Sequence, residues 1–198
     1  KKAYGYETNP MLLKIVVSPS LAIAHYPTLH NFGLTDATFS GFSSFVGEDF
    51  AFHEMLFLLS GYFNLEKRIA EFEENTEKAK EYEGYIAQLN EASKLEGKEA
   101  RKAYEKVYTS LKPKTPDGFF DDAEEQLEYV LKRVSRLLSL DDMDNEDAAI
   151  LIQPMVYGNY GEDSGSGEFF TRNVVTGEKH LQGWFLPNTF DVIGRKGE

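Results

Sequence analysis

Cysteine is absent from all 198 residues of this chain. Its absence excludes disulfides, a thiol nucleophile and thiolate-bound metal. Positive charge is scarce: 21 Lys and Arg face 33 Asp and Glu, a formal net charge of −12. So acidic a chain lacks the basic face that nucleic acid or an anionic membrane surface needs, and neither is an expected partner. No arginine precedes Arg68. Long apolar runs are missing too. The longest, Phe50 to Phe63, is too short to span a bilayer and carries His53 and Glu54. No secretory signal is visible. A cytoplasmic setting fits these absences. The chain begins at Lys1 rather than Met, which implies a piece of a longer protein. What is present is enough for a core: 41% of residues are hydrophobic, which argues for a globular chain over a disordered one.

The most informative stretch runs from Gln153 to Leu186. Two β-prone runs, Ala148 to Tyr157 and Glu168 to Thr171, flank a loop holding Gly158, Gly161, Gly165 and Gly167. Such runs bounded by Gly, Asn, Asp and Ser read as strands joined by a tight connection. Glycine lets backbone N–H groups approach an anion, because no Cβ stands in the way. Successive N–H groups in such a turn form a concave phosphate site. Ser164, Ser166 and Thr171 add hydroxyl donors, and Arg172 adds a planar charge suited to phosphate oxygens. A flexible surface loop has the same composition. The acidic pair Glu162 and Asp163 opposes an anion site unless a metal ion lies between.

Along the rest of the chain, Met11 to Val17 is an apolar run interrupted only by Lys14, which suits a strand buried on both faces and stopped by Pro19. His25 and His30 read as loop or surface histidines, with no third metal ligand placed by the spacing. Phe50 to Phe63 reads as a buried helix ending near Gly61. From Leu65 to Leu89 apolar residues recur at three- and four-residue steps, and a second amphipathic helix runs from Lys98 to Leu111 after Gly97. The near-heptad spacing admits a coiled-coil dimer; the short break favours an antiparallel helical hairpin packed within the chain. Pro113, Pro116 and Gly118 mark a turn. Asp121 or Asp122 caps a further helix that reaches about Leu140. The acidic turn Asp141 to Asp147 lacks the regular ligand spacing of a calcium loop.

The wording of the glycine stretch is more specific than its composition. Met155-Val156-Tyr157-Gly158-Asn159, Gly161 through Gly167, Phe170-Thr171-Arg172-Asn173 and Thr176-Gly177-Glu178 closely resemble the nucleotide-binding domain of pyruvate phosphate dikinase. Asn9-Pro10-Met11-Leu12-Leu13, Asn31-Phe32-Gly33-Leu34, Phe50-Ala51-Phe52 and Glu125-Gln126-Leu127-Glu128 are similar to further stretches of that domain. The resemblance implies an α+β, ATP-grasp-like fragment with an inserted α-helical subdomain and a C-terminal antiparallel β-hairpin region. Residues 1–49 would belong to the nucleotide-binding lobe, 50–140 to the helical subdomain and 141–198 to the glycine-loop β subdomain. It implies ATP and Mg as cofactors. It implies Gly161, Ser164, Gly165, Ser166, Gly167, Thr171 and Arg172 as nucleotide-binding residues. Its partners would be a swivelling phosphohistidine domain and a pyruvate-binding barrel, neither of them in this chain.

The chain departs from the family's pattern where the pattern carries charge. An arginine that serves the phosphates falls on Val16 or Val17, and a basic pair falls on Leu56-Phe57. A glutamate and a glutamine of the last strand fall on Trp184 and Phe190. Glu162, Glu168, Glu178 and Asp191 are the oxygens left nearby, and no metal ligand is assigned. Two readings follow. One is a nucleotide-binding segment of a phosphotransferase that is not catalytically competent by itself. The other is a degenerate binding or scaffolding module derived from that domain.

Overall fold

The computed structural model describes residues 10–19, 26–95, 97–141 and 148–189. The chain divides into two compact units, Lys1–Met155 and Val156–Glu198. In the first, strands β1 (Leu13–Pro19), β2 (Leu29–Phe32) and β3 (Ala148–Pro154) form an antiparallel sheet in the order β2-β1-β3. Five helices accompany them: α1 (Asp36–Val46), α2 (Glu48–Phe72), α3 (Thr76–Ala92), α4 (Gly97–Leu111) and α5 (Ala123–Leu140). The second unit holds β4 (Gly165–Phe170) and β5 (Gln182–Pro187), an antiparallel pair. The architecture is α+β.

Helix α2 is the hub. Leu56, Leu58, Leu59, Phe63, Leu65 and Ile69 along it are all buried. Apolar residues nearly all round a helix require cover on every side. α1, α3, α4, α5 and β2 supply it. The expected stop at Gly61 does not occur; α2 continues to Phe72. A Cβ built on Gly61 would meet Leu29 at 3.6 Å, so the glycine marks where β2 passes close to the helix. The real break lies later, where Glu74 adopts φ 56° and Asn75 caps α3 by accepting from the Lys78 N–H. One helix starting at Leu65 was expected; the chain folds it as the end of α2 and all of α3. α3 and α4 pack on each other and on α2, in keeping with a helical hairpin. Asp122 Oδ1 caps α5 through the N–H groups of Glu124 at 2.7 Å and Glu125 at 3.0 Å.

β1 is buried on one face only, a second difference from expectation. Ile15 and Val17 are buried while Lys14 and Val16 are half-exposed, because the helices cover one side of the sheet. His30 is not a surface residue: it is buried and its ring lies 4.8 Å from that of Phe57. His25 lies outside the described residues. Among the described residues no helix is long and apolar enough to cross a membrane.

The buried carboxylates of this unit are paired. Glu66 on α2, almost wholly buried, receives both Arg133 Nε and Nη2 at 2.7 Å from α5. Two parallel charge-assisted bonds of this kind fix geometry as well as charge. Tyr62 lies beside the pair. Burial first, then the Glu66 carboxylate, pushes its phenol far above the ordinary value.

Arg133→Ala leaves Glu66 charged and without its partner, which should cost roughly 3 kcal/mol. Denaturation followed by helical circular dichroism checks this. A raised phenol pKa stabilises the fold fully below the unfolded value and progressively less above it, so the helical unit should lose stability as pH climbs past about 10. Tyr62→Phe should blunt that alkaline loss in the same measurement.

Candidate functional site

The glycine stretch begins immediately after β3. Its turn is closed by one side chain. Ser164 Oγ accepts from the Gly161 N–H at 3.0 Å and lies 2.8 Å from the Gly158 carbonyl and 2.7 Å from that of Gly161. The Ser164 N–H donates to the Gly161 carbonyl at 3.0 Å, and the Asn188 N–H donates to the Ser164 carbonyl at 2.7 Å. Serine suits this place because its short hydroxyl both donates and accepts within a turn. The acidic tip, Glu162 and Asp163, is exposed. Gly158 is buried and hemmed in: a Cβ built there would come within 2.4 Å of the Thr189 carbonyl and 2.8 Å of Ser166 Oγ.

Gly165 and Gly167, expected in the loop, lie inside β4. Strand alternation sorts the ribbon into two faces. On one, a Cβ built on Gly165 would fall 2.3 Å from the Phe185 ring, and one built on Gly167 would fall 3.1 Å from the Phe169 ring. The glycines here seat aromatic rings, a way of stabilising glycine-rich strands. On the other face stand Ser166, Glu168 and Phe170 of β4 with Gln182, Trp184 and Leu186 of β5. Trp184 is directly opposite Glu168.

The strand also separates residues that the resemblance groups together. Gly161 and Ser164 meet, and Ser166 adjoins Gly158. Thr171 and Arg172 follow the far end of β4. Six strand residues, about 20 Å, lie between them and the Ser164 turn. Arg172 Nη1 donates to the Gly177 carbonyl at 3.1 Å. It closes a second turn in which Asn173 Oδ1 accepts from the N–H groups of Val175 and Thr176 at 2.8 and 3.0 Å.

In the first unit, the positions where the resemblance placed cations hold apolar side chains. Val16 pairs with Leu151 across the sheet and Val17 with Ile150. Leu56 is buried in α2, and Phe57 packs its ring against His30. Phe190 and Asp191 lie outside the described residues. Among the described residues, no group of three or more His, Asp and Glu side chains converges as a metal cage would.

Sequence reasoning missed Gln126. Fully buried, it accepts from the Gly33 N–H at 2.8 Å and donates to the carbonyls of Phe119 at 3.0 Å and Leu34 at 3.3 Å. The turn it holds needs holding: Asn31 has φ 65° and Gly33 φ 97°. Asn31 Nδ2 in turn donates to Glu54 Oε2 at 2.6 Å. The Asn31-Phe32-Gly33-Leu34 and Glu125-Gln126-Leu127-Glu128 motifs are thus two halves of one clamp. The sequence shows both stretches as motif matches but not that Gln126 holds the Asn31–Leu34 turn.

Gln126→Leu removes three buried bonds and should cost about 3 kcal/mol or more, measured by denaturant unfolding. In the second unit, Gly165→Ala should dislodge the Phe185 ring. An upfield-shifted Gly165 Hα resonance is expected in the parent chain, and Phe185→Ala should abolish it.

No family model matches the chain. Over 197 residues it is 49% identical to the protein named pyruvate, phosphate dikinase of Treponema pallidum (strain Nichols), covering 100% of this chain and 22% of that protein. It is 31% identical over 194 residues to pyruvate, phosphate dikinase 1, chloroplastic, of Arabidopsis thaliana, covering 91% of the chain and 20% of the relative. Against pyruvate, phosphate dikinase 1, chloroplastic, of Zea mays the identity is 31% over 197 residues, covering 93% and 20%. The chain spans about a fifth of the length of the curated relatives it matches.

Proposed function

The chain belongs to the pyruvate, phosphate dikinase family as a segment of that protein, and from this premise we propose that it binds a purine nucleotide but does not transfer phosphoryl groups by itself. The observation that carries the binding half is the Ser164-closed turn. It presents Gly161 and the N–H groups of Glu162 and Asp163, which among the described residues meet no protein acceptor, beside the Ser166 hydroxyl. A turn fixed in advance spares a phosphate the cost of ordering it. ATP is the ligand that the resemblance suggests, and an ATP-grasp-like arrangement in the longer protein is the fold that goes with it.

The second half rests on Val16, Val17, Leu56 and Phe57. Phosphoryl transfer needs cations to offset charge on the moving oxygens. Each lost charge-assisted bond forfeits roughly 1.5–3 kcal/mol. Magnesium, which binds through one or two carboxylates and the substrate's own phosphates, suits what is here only as a companion of the nucleotide, with Glu162 or Asp163 as its protein oxygens. Arg172, beyond the far end of β4, would reach a different part of a ligand from the turn. A swivelling phosphohistidine domain and a pyruvate barrel, supplied elsewhere in a longer protein, complete the proposed setting.

Isothermal titration with MgATP tests the reading. Micromolar to millimolar binding is expected, weakened about tenfold in Ser166→Ala, which removes one hydroxyl donor. No heat at millimolar MgATP would favour the scaffolding alternative.

A further inference from the structure

β3 is an edge of the three-stranded sheet: β1 pairs along one side of it, and among the described residues no strand pairs along the other. From Ala148 to Pro154 the strand carries no charge. Its large side chains are open on both faces. Ile150 and Ile152 lie on the helix-covered face beside Val17 and Ile15, yet they are 36% and 41% exposed. Leu151, on the other face beside Val16, is 52% exposed. The cover that buries β1 therefore stops short of β3. The backbone is open as well. The Met155 N–H donates to the Leu12 carbonyl at 2.8 Å, so alternate residues counted back from it, Gln153, Leu151 and Ala149, turn their N–H and C=O groups to β1. Ile150 and Ile152 turn theirs to the free edge. An uncharged aliphatic strand with such an edge is a template for another strand.

We propose that β3 pairs antiparallel with β3 of a second copy of this chain, about a two-fold axis at Leu151, joining two three-stranded sheets into one. The strand is self-complementary in that register. Ile150 of one copy falls opposite Ile152 of the other, each outward N–H facing an outward carbonyl, and Leu151 falls opposite Leu151. A two-fold contact requires such a match of a surface with itself. Charge selects the antiparallel direction. Asp141, Asp142, Asp144, Glu146 and Asp147 precede β3 in the sequence. Antiparallel strands bring the two acidic runs in from opposite ends, whereas parallel strands would set them side by side, where like charges repel. The pairing stops at two copies, because the sheet's other edge, β2, is four residues long and buried throughout. A second copy suits this edge better than a basic or acidic strand, since β3 offers no charge to either. The inference is independent of the nucleotide reading.

Sedimentation equilibrium of the 198-residue chain, joined to amide hydrogen exchange, tests the pairing. A monomer–dimer equilibrium is expected, and the Ile150 and Ile152 amides should gain protection as concentration rises. Leu151→Lys and Leu151→Glu each set like charges against each other across the axis, and each should weaken association roughly tenfold or more. Leu151 is open in the single copy, so both variants should keep the helical circular dichroism of the parent. An equimolar mixture of the two variants should associate again, each charge facing its opposite. A parent chain that stays monomeric at the highest concentration reached overturns the pairing. So does a dimer that neither variant weakens, which would place the contact on another surface, such as the helical hairpin of α3 and α4. Where a variant does not fold, exchange in the parent chain decides alone: Ile150 and Ile152 amides with no concentration-dependent protection overturn the proposal.

Discussion

Most of the first unit answers to one constraint: the apolar middle of α2 is buried nearly all round and must be covered on every side. A helix with twelve buried residues is unstable alone in water, and burial is what stabilises it. β2 and the other helices are arranged as its cover. The few polar groups that α2 takes inside are therefore costly unless matched. Glu54 is matched by Asn31, and Glu66 by the two-pronged Arg133. These pairs tie α2 to β2 and to α5 at fixed registers, so they set orientation where hydrophobic burial, being non-directional, cannot.

The same constraint explains which features were legible in the sequence. The amphipathic stripes of α4 and α5 and the Asp122 cap follow from local spacing and were read at nearly their observed ends. The stop at Gly61 was not, because glycine weakens a helix by only about 1 kcal/mol, and the burial of Tyr62, Phe63 and Leu65 outweighs that. The break at Glu74 and Asn75 was signalled by an asparagine before Thr76, yet the apolar stripe continues across it and hides it. β1 was read as buried on both faces from its apolar run; which face receives helices is a tertiary fact.

For the candidate site, the sequence revealed the turn but not its dimensions. Glycines look alike in a string. In the fold they separate into two kinds: Gly158 and Gly161 shape the turn with Ser164, and Gly165 and Gly167 make room for aromatic rings. Because the second kind lies in a strand, Arg172 is carried away from the first, although only a few residues intervene. Gln126 escaped notice for the opposite reason. It is a lone polar residue on a helix that shows its purpose only when the Asn31–Leu34 turn, distant in sequence, is brought against it.

The apolar substitutions at the resemblance's cation positions bear on how the proposed loss of transfer chemistry would persist. A cation placed at Leu56 or Val17 would be buried in a hydrophobic core. An unpaired buried charge costs several kcal/mol, a large share of a domain's whole stability. Neither position therefore returns to charge by a single step without threatening the fold. The turn in the second unit is under no such lock, because its groups are made of backbone and of small hydroxyls that the fold itself requires. A binding function resting on the turn would thus be retained more easily than a transfer function resting on side-chain cations. The physical asymmetry between backbone donors and buried charges is what makes a binding segment, rather than a complete transferase, the reading that this sequence supports.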